Sequence, residues 1–146
     1  MGTHVRDVMT TRPRAVSPDT PVSQVAELME MEDVGAIPVV DGDRLVGIVT
    51  DRDIVVRAIA KGKDPKGMPA KDVSSDELVT VDADQDLDDA LRLMARHQVR
   101  RLPVVDQEQR LVGVVSQADV AIEAKEKHAG EMLEGISRPP TGPRTP

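Results

Sequence analysis

Ile37-Pro-Val-Val-Asp-Gly-Asp-Arg-Leu-Val-Gly-Ile-Val-Thr50 is the stretch that decides the fold, because the chain of 146 residues contains a second copy of it. The second copy lies about 65 residues further on. It reads Leu102-Pro-Val-Val-Asp106 and then, after one inserted residue, Arg110-Leu-Val-Gly-Val-Val-Ser116. Roughly a third of the positions aligned between the two halves are identical, which is strong for an internal comparison. The chain is therefore a tandem repeat.

Each half has the pattern strand, helix, strand, strand, helix. Segments 14–16 and 78–81 are short predicted strands, and Thr20 is the expected N-cap of the helix that starts at Pro21. Two apolar runs joined by a turn follow, and the last helix of each half is expected to start at Thr50 or Ser116. The first helices carry apolar residues at i, i+3, i+4 and i+7, the spacing of a half-buried helix. These residues are Val22, Val25, Ala26 and Met29 in one half and Leu87, Ala90, Leu91 and Met94 in the other.

This order of elements predicts an α/β (α+β) fold made of tandem β-α-β-β-α repeats. One small sheet with helices on a single face buries too little by itself, so we expect the two sheets to pack face to face about a pseudo-twofold axis. Two equivalent clefts would then lie between the halves. The predicted division is a first repeat at 1–61, a linker at 62–69, a second repeat at 70–127, and a helix end with a mobile proline-rich tail at 128–146.

The composition argues against several classes of function. A formal charge of −7 disfavours general nucleic-acid binding, and the absence of Phe, Tyr and Trp removes stacking of bases on aromatic rings. There is no cysteine, which excludes disulfides, thiolate catalysis and cysteine-ligated zinc. No signal peptide and no apolar run of about 20 residues is found, so we expect a cytoplasmic protein without membrane contact.

Neither a catalytic site nor a metal site is predicted. His4, His97 and His128 lie far apart in the sequence and lack the spacing of metal ligands. The acidic run 82–86, with Asp88 and Asp89, places negative charge at a helix start and lacks the glycine and terminal glutamate of a calcium loop. We find no nucleophile–base pair and no glycine-rich phosphate loop, and therefore expect no enzyme activity.

A Gly-x-x-[Ser/Thr]-x-x-Asp motif occurs in both halves, as Gly47 to Asp53 and as Gly113 to Asp119. Its carboxylate suits two vicinal ribose hydroxyls, and its Ser or Thr lies at a helix N-terminus, where N–H groups and the helix dipole favour phosphate. The same spacing also forms a capping box, which needs no ligand. One carboxylate is not expected to satisfy both roles fully at once.

Because both copies of the motif lie at the same distance from the Pro-Val-Val-Asp strand, the chain resembles the cystathionine-β-synthase (CBS) domain pair, or Bateman module, over about residues 5–125. The resemblance implies two CBS repeats that bind AMP, ADP, ATP or S-adenosylmethionine in their clefts. In this family the motif Asp contacts the ribose and the Ser or Thr lies near the phosphates. The resemblance thus implies the nucleotide-binding residues Val16, Ile37, Pro38, Thr50, Asp53, Thr80, Val81, Arg101, Leu102, Pro103, Ser116 and Asp119.

The two halves differ where a phosphate would lie. Arg100 and Arg101 precede Leu102, at a position where the related γ subunit of AMP-activated protein kinase carries basic residues that reach phosphates. The first half has Gly35 and Ala36 there, and Asp51 adds negative charge beside Thr50. We therefore expect one tight and one weak or silent cleft.

The resemblance favours a regulatory module that senses an adenine nucleotide and signals its occupancy to another protein. The alternative is a ligand-free interaction or scaffold module. No cofactor is expected to be obligatory, since the nucleotide or S-adenosylmethionine acts as a regulatory ligand. The expected partners are an adenosine-containing small molecule, a second copy of the chain in a homodimer, and a regulated protein that the sequence does not identify.

Overall fold

A computed structural model describes residues 3–123 of the chain. Their secondary structure follows the predicted order in both halves. The elements are α1 (Val5–Val8), β1 (Thr10–Thr11), α2 (Val22–Glu32), β2 (Ala36–Asp41), β3 (Arg44–Thr50), α3 (Asp51–Ile54) continued by a π-helical turn (Val55–Ile59), a 3₁₀ turn (Ala70–Asp72), β4 (Val81–Asp82), α4 (Leu87–His97), β5 (Arg101–Val105), β6 (Leu111–Ser116) and α5, which begins at 117 and is described as far as 123. The predicted tail at 128–146 lies outside the described residues.

The first strand of each half is shorter than predicted, and proline is the reason. Val16 donates its N–H to the Pro38 carbonyl at 3.0 Å and accepts the Val40 N–H at 2.8 Å, as one rung of a parallel pair. The preceding rung would need an N–H from Pro38, which proline lacks. The pairing therefore consists of a single bridge at Val16. Pro103 has the same effect in the second half, where β4 begins only at Val81.

Thr20 does not cap the first long helix. Its Oγ1 accepts the Ser17 N–H at 3.1 Å, and Pro21 occupies the N-cap position of α2. The hydroxyl closes a turn ahead of the helix because a backbone donor lies three residues before it. In contrast, Thr50 caps α3 as predicted.

The segment that precedes each repeat pairs with the hairpin of the other repeat. β1 pairs with β6, with Thr10 opposite Val114, so the larger sheet has the order β1-β6-β5-β4. Correspondingly, Ser75 and Ile48 of β3 exchange hydrogen bonds of 2.9 and 3.1 Å. The residues that begin each sequence repeat thus complete the sheet of the opposite half.

The hydrophobic cores show the same exchange. One core is built mainly from the first repeat but includes Met68, Ala70 and Val73, whereas the other core includes Val5. Val5 and Val73 are both fully buried. The sequence motif that begins the first repeat therefore packs into the second core, and its counterpart packs into the first. The proposed domain boundaries remain a prediction, since they describe the sequence repeat rather than the cores.

A pseudo-twofold relation joins the two hairpins. The Leu45 N–H donates to the Gln109 carbonyl at 3.0 Å, and the Leu111 N–H donates to the Asp43 carbonyl at 2.9 Å. Since Leu45 and Leu111 occupy corresponding positions of the repeat, a twofold rotation exchanges these two bonds. The fold is the predicted α+β pair of repeats about a pseudo-twofold axis.

Candidate functional site

A cleft of about 820 Å³ is lined by residues from both halves. The first half contributes the start of β2 and the junction between β3 and α3, and the second half contributes segment 77–79, the start of β5 and the junction between β6 and α5. The predicted binding residues that line this cleft are Thr50, Arg101, Leu102, Pro103 and Ser116. Both motif residues that carry a hydroxyl therefore line the same cleft as Arg101, the predicted phosphate ligand.

The other predicted binding residues do not line this cleft. Four of them are buried strand residues of the two halves, namely Val16, Ile37, Pro38 and Val81. Thr80 lies one residue beyond the cleft-lining Val79 and is half-buried. Asp53 and Asp119 lie in the first helical turn behind Thr50 and Ser116.

Both motif carboxylates form the capping box that the spacing allowed. In the first half, Asp53 Oδ2 accepts the Thr50 N–H at 2.9 Å, and Thr50 Oγ1 accepts the Asp53 N–H at 3.0 Å. In the second half, the corresponding distances between Ser116 and Asp119 are both 3.1 Å. Capping uses only Oδ2 of each carboxylate, so the second oxygen of each is left for another donor. Binding of a ribose by the second oxygen stays a prediction.

The starts of α3 and α5 differ in how many of their backbone N–H groups have an acceptor. The N–H of Asp51 donates to the Gly35 carbonyl at 2.9 Å, and that of Arg52 donates to Asp51 Oδ1 at 2.8 Å. With the Asp53 N–H bound to Thr50, the first three N–H groups of α3 are all satisfied. In α5 the Gln117 N–H donates to the Arg100 carbonyl at 2.9 Å, but the Ala118 N–H has no partner among residues 3–123.

The charges lining the cleft are also divided between its walls. Arg100 and Arg101 are exposed, and neither forms an ion pair within the part of the chain that the structure describes. The opposite wall carries Asp51, whose Oδ2 would lie 3.1 Å from a Cβ added at Gly35. Since Gly35 corresponds to Arg100 in the repeat, a carboxylate lies beside the position where the second half has an arginine.

Segment 78–80 offers free backbone groups at the cleft. No hydrogen bond involves the N–H or carbonyl of Leu78 or Val79 within residues 3–123. The missing N–H of Pro103 explains this for Val79, since it ends the parallel pairing at Val81. Both residues line the cleft, whereas their counterparts in the first half, Pro13 and Arg14, do not. The second half therefore presents an aliphatic surface with backbone donors and acceptors.

The motif glycines have a structural role that the sequence analysis missed. A Cβ at Gly113 would lie 2.7 Å from Met9 Sδ and 2.9 Å from the Thr10 carbonyl oxygen. At Gly47 the nearest atoms, which belong to Ser74 and Ser75, would be 3.2 to 3.3 Å away. Each glycine thus admits the segment that crosses from the other half. The signal was available, because glycine inside a strand often marks the close approach of another backbone.

A second, smaller hollow of about 460 Å³ lies by the turn between β5 and β6. Its two arginines are paired, Arg6 with Asp84 at 2.8 Å and Arg110 with Asp106 at 2.8 Å. The Arg110 N–H, its guanidinium and the Glu108 N–H donate to Asp106 and hold the pKa of its carboxyl below the usual value. The hydrogen bond to Asp106 in turn raises the pKa of Arg110. Both arginines of this hollow are therefore paired with carboxylates of the chain itself.

Two further properties concern metals and membranes. Among the described residues, no group of three or more His, Cys, Asp and Glu side chains is placed to hold a metal ion. Over the same residues, no helix combines the length and apolar character needed to span a bilayer.

The family model of the CBS domain matches residues 5–59 and 70–126. The CBS domain-containing protein YhcV of Bacillus subtilis is 46% identical over 134 residues, which cover 91% of this chain and 94% of that protein. Hypoxic response protein 1 of Mycobacterium tuberculosis is 38% identical over 138 residues, which cover 94% of this chain and 96% of the relative. Both relatives are therefore similar to this chain along nearly their whole length.

Solved structures share the same fold. The crystal structure of Hypoxic Response Protein I with two coordinated zinc ions superposes with a TM-score of 0.75 at 39% identity, covering 82% of this chain and 97% of that one. The structure of CBSX2 in complex with AMP superposes with a TM-score of 0.76 at 32% identity, and the match covers 86% of this chain and 98% of that one. The CBS domain pair of MJ0100, in complex with 5′-methylthioadenosine and S-adenosyl-L-methionine, superposes with a TM-score of 0.74 at 25% identity. The match covers 87% of this chain and 99% of that one.

Proposed function

Since the chain belongs to the CBS-domain family, as a CBS-pair regulatory module rather than an enzyme, we propose that it binds an adenosine-containing ligand in the cleft between its repeats. The observation that carries this proposal is the cleft itself. Residues of both halves line it, and they include Thr50 and Ser116, which carry the motif hydroxyls. A ligand there would contact both repeats and change how they pack, which a regulated protein can read. The complexes of CBSX2 with AMP and of MJ0100 with adenosine compounds support the class of ligand.

The roles of the residues follow from their chemistry. Asp53 and Asp119 lie in the first helical turn behind the cleft-lining Thr50 and Ser116, and a ribose that reaches past these two residues donates its hydroxyls to the carboxylate oxygens that capping leaves unused. Arg101 binds a phosphate as a bidentate donor, with Ser116 and the Ala118 N–H beside it. The adenine lies on aliphatic surface instead of aromatic rings, and its edge is bound by the backbone groups of Leu78 and Val79, which form no hydrogen bond within residues 3–123.

We propose that the sites at the two halves bind unequally. At the first half, the N–H groups of α3 are satisfied within the protein and Asp51 opposes a phosphate. At the second half the cleft is lined by two arginines that form no ion pair, and by an N–H that has no partner, within residues 3–123. A phosphate-bearing ligand is therefore held tightly at one site per chain and weakly or not at all at the other.

We also propose a cytoplasmic homodimer formed through the helices. Val55, Val56 and Ile59 are exposed on the helix that follows β3, and Leu91 and Ile122 are exposed on α4 and α5. Burial of such side chains against a second copy would remove apolar surface from water. The mass measured by light scattering should be near twice 15.8 kDa. A strictly monomeric mass well above micromolar concentration would contradict the dimer.

The second candidate is a ligand-free interaction module. The observation in its favour is that both capping boxes are complete without a ligand. In that case the cleft only reflects how the two halves pack, and the motif that both halves share has the role of capping a helix.

A thermal-shift panel separates the two candidates. AMP, ADP, ATP, 5′-methylthioadenosine and S-adenosylmethionine are each added to the full chain, because a ligand that binds the native state raises its Tm. At a concentration of 100 times Kd the stabilisation is about 2.7 kcal/mol, which is easily measured. Guanosine compounds serve as the matched control. A Tm unchanged by every adenosine compound would favour the ligand-free module.

A further inference from the structure

Arg57 connects the first motif carboxylate to the segment that crosses between the halves. Its Nη1 donates to the carbonyl oxygens of Val73 and Ser74 at 3.3 and 3.1 Å. Its Nε lies 4.0 Å from Asp53 Oδ1, the oxygen that capping leaves unused. Ser75 follows directly and exchanges two hydrogen bonds with Ile48 of β3. A continuous set of contacts therefore leads from Asp53 to the crossing strand.

Within residues 3–123, the second half shows no such connection. The residue that corresponds to Arg57 is Glu123, whose Oε1 accepts the Thr3 hydroxyl at 3.5 Å. A carboxylate accepts hydrogen bonds only, so it cannot bind backbone carbonyls or attract Asp119. The local helix differs as well, because Arg57 lies in a π-helical turn whereas 117–123 is α-helical. Short π-helical turns occur often at functional sites.

We propose that Arg57 is a positioning residue that couples occupancy of Asp53 to the order of segment 73–75. This inference rests on the proposed function, because it takes ribose hydroxyls as the donors to Asp53 Oδ1. Hydroxyls bound there fix the carboxylate, the fixed carboxylate holds the guanidinium, and the guanidinium holds the two carbonyls next to Ser75. Arginine suits this role because its planar fork presents several donors in fixed directions. Ligand binding at one half is thereby transmitted to the chain that leads into the other.

The contact between Asp53 and Arg57 is tested first without ligand. A double-mutant cycle uses Asp53→Asn, which keeps a side-chain oxygen for the cap, and Arg57→Gln. In denaturant unfolding at low salt we expect a coupling of about twofold to fivefold in the unfolding equilibrium constant, the range for a partly exposed pair. Strictly additive effects would overturn the link between the two side chains.

The transmission is tested by amide hydrogen exchange at Ser75, with AMP at a concentration that saturates each variant. In the wild type, AMP should slow exchange of the Ser75 N–H, which is bonded to the Ile48 carbonyl. In Arg57→Gln the slowing should disappear although AMP is bound. Arg57→Lys should behave in the same way, because one ammonium group cannot span both carbonyls and Asp53. Arg52→Gln is the matched control, since Arg52 is exposed and its side chain forms no hydrogen bond within residues 3–123.

The possible results distinguish this inference from the proposed function. If Arg57→Gln retains the AMP-dependent slowing, the coupling role of Arg57 is wrong, whatever the affinity. If the wild type binds AMP without slowing Ser75, the coupling is likewise wrong and the proposed function stands. If the wild type binds no adenosine compound, the proposed function fails and transmission fails with it, while the ligand-free cycle still decides whether Asp53 and Arg57 are linked.

Discussion

The two helix starts at the cleft have the same capping geometry but opposite environments. At α3 every early N–H has an acceptor inside the protein, and Asp51 supplies one of them. At α5 the corresponding residue is Gln117, and the next N–H has no partner within residues 3–123. A duplicated motif thus keeps its capping role in both copies, while the flanking residue differs in charge, as Asp51 in one half and Gln117 in the other. A carboxylate beside a helix start opposes an anion there.

The largest expected effect comes from removing the motif carboxylates. Asp53→Ala and Asp119→Ala should each weaken binding of an adenosine ligand at their own half by about 1.5–3 kcal/mol, the scale for losing charged hydrogen bonds. Each variant also loses a capping partner, so the free energy of unfolding should fall by about 0.5–1 kcal/mol. Calorimetry measures the affinity. Wild-type affinity in the double variant would leave these residues with the capping role alone.

A second comparison concerns the glycines that admit the crossing segments. Gly113→Ala should lower the free energy of unfolding by about 1–3 kcal/mol, because the new Cβ would meet a backbone oxygen at 2.9 Å. Gly47→Ala should cost less, since its closest contacts are 3.2 to 3.3 Å and one is a serine hydroxyl that can rotate. Denaturant unfolding of both variants measures the two losses and shows which one is larger. A larger loss at Gly47 would contradict the difference between the two crossings.

Arg101→Ala tests where the phosphate is held. ATP and ADP should lose about threefold to tenfold in affinity and adenosine much less, because only the charged contact to phosphate is removed. The loss should shrink as salt rises, since an exposed ion pair is screened. Arg96→Ala, an exposed arginine on α4 away from the cleft, is the control. Equal losses for adenosine and ATP would mean that Arg101 shapes the pocket without binding phosphate.

The smallest effect is expected when the first half is made to resemble the second. Asp51→Gln removes the opposing charge and releases the Arg52 N–H, so affinity for a phosphate ligand at that half should rise by about twofold to threefold. The binding isotherm of the variant should move toward two similar sites per chain. An unchanged isotherm would show that Asp51 is not what weakens the first half, and two equal sites in the wild type would contradict the asymmetry itself.

Much of the fold was predictable because the repeat supplies every local signal twice. The hairpins, the helix stripes and the caps at Thr50 and Ser116 depend on residues close together in the sequence. The structure confirms the hairpins and the caps. Each helix stripe is confirmed at three of its four positions, because Ala26 and Leu91 are exposed. The first strands were predicted too long because the limit is set by a proline on the partner strand. A strand pattern alone does not contain that information.

The exchange between halves was not predictable from the repeat. Val5 and Val73 occupy corresponding positions, so either could pack on its own hairpin or on the other one with the same apolar pattern. Only the path of the chain decides between these pairings. The role of Arg57 was hidden for a similar reason, since its acceptors, the carbonyls of Val73 and Ser74, lie beyond the predicted linker and carry no side-chain signal.

The crossing segments also set the order in which the molecule can be completed during synthesis. The first sheet lacks a partner for Ile48 until Ser75 has left the ribosome. Thr10 is made about a hundred residues before its partner Val114 on β6, and Val5 is made before Gln85, whose carbonyl accepts its N–H. β1 must therefore remain unpaired while the residues up to β6 are synthesised, at rates of about 5–20 residues per second. The segment that opens the first repeat thus reaches its native position only after the second repeat has been made.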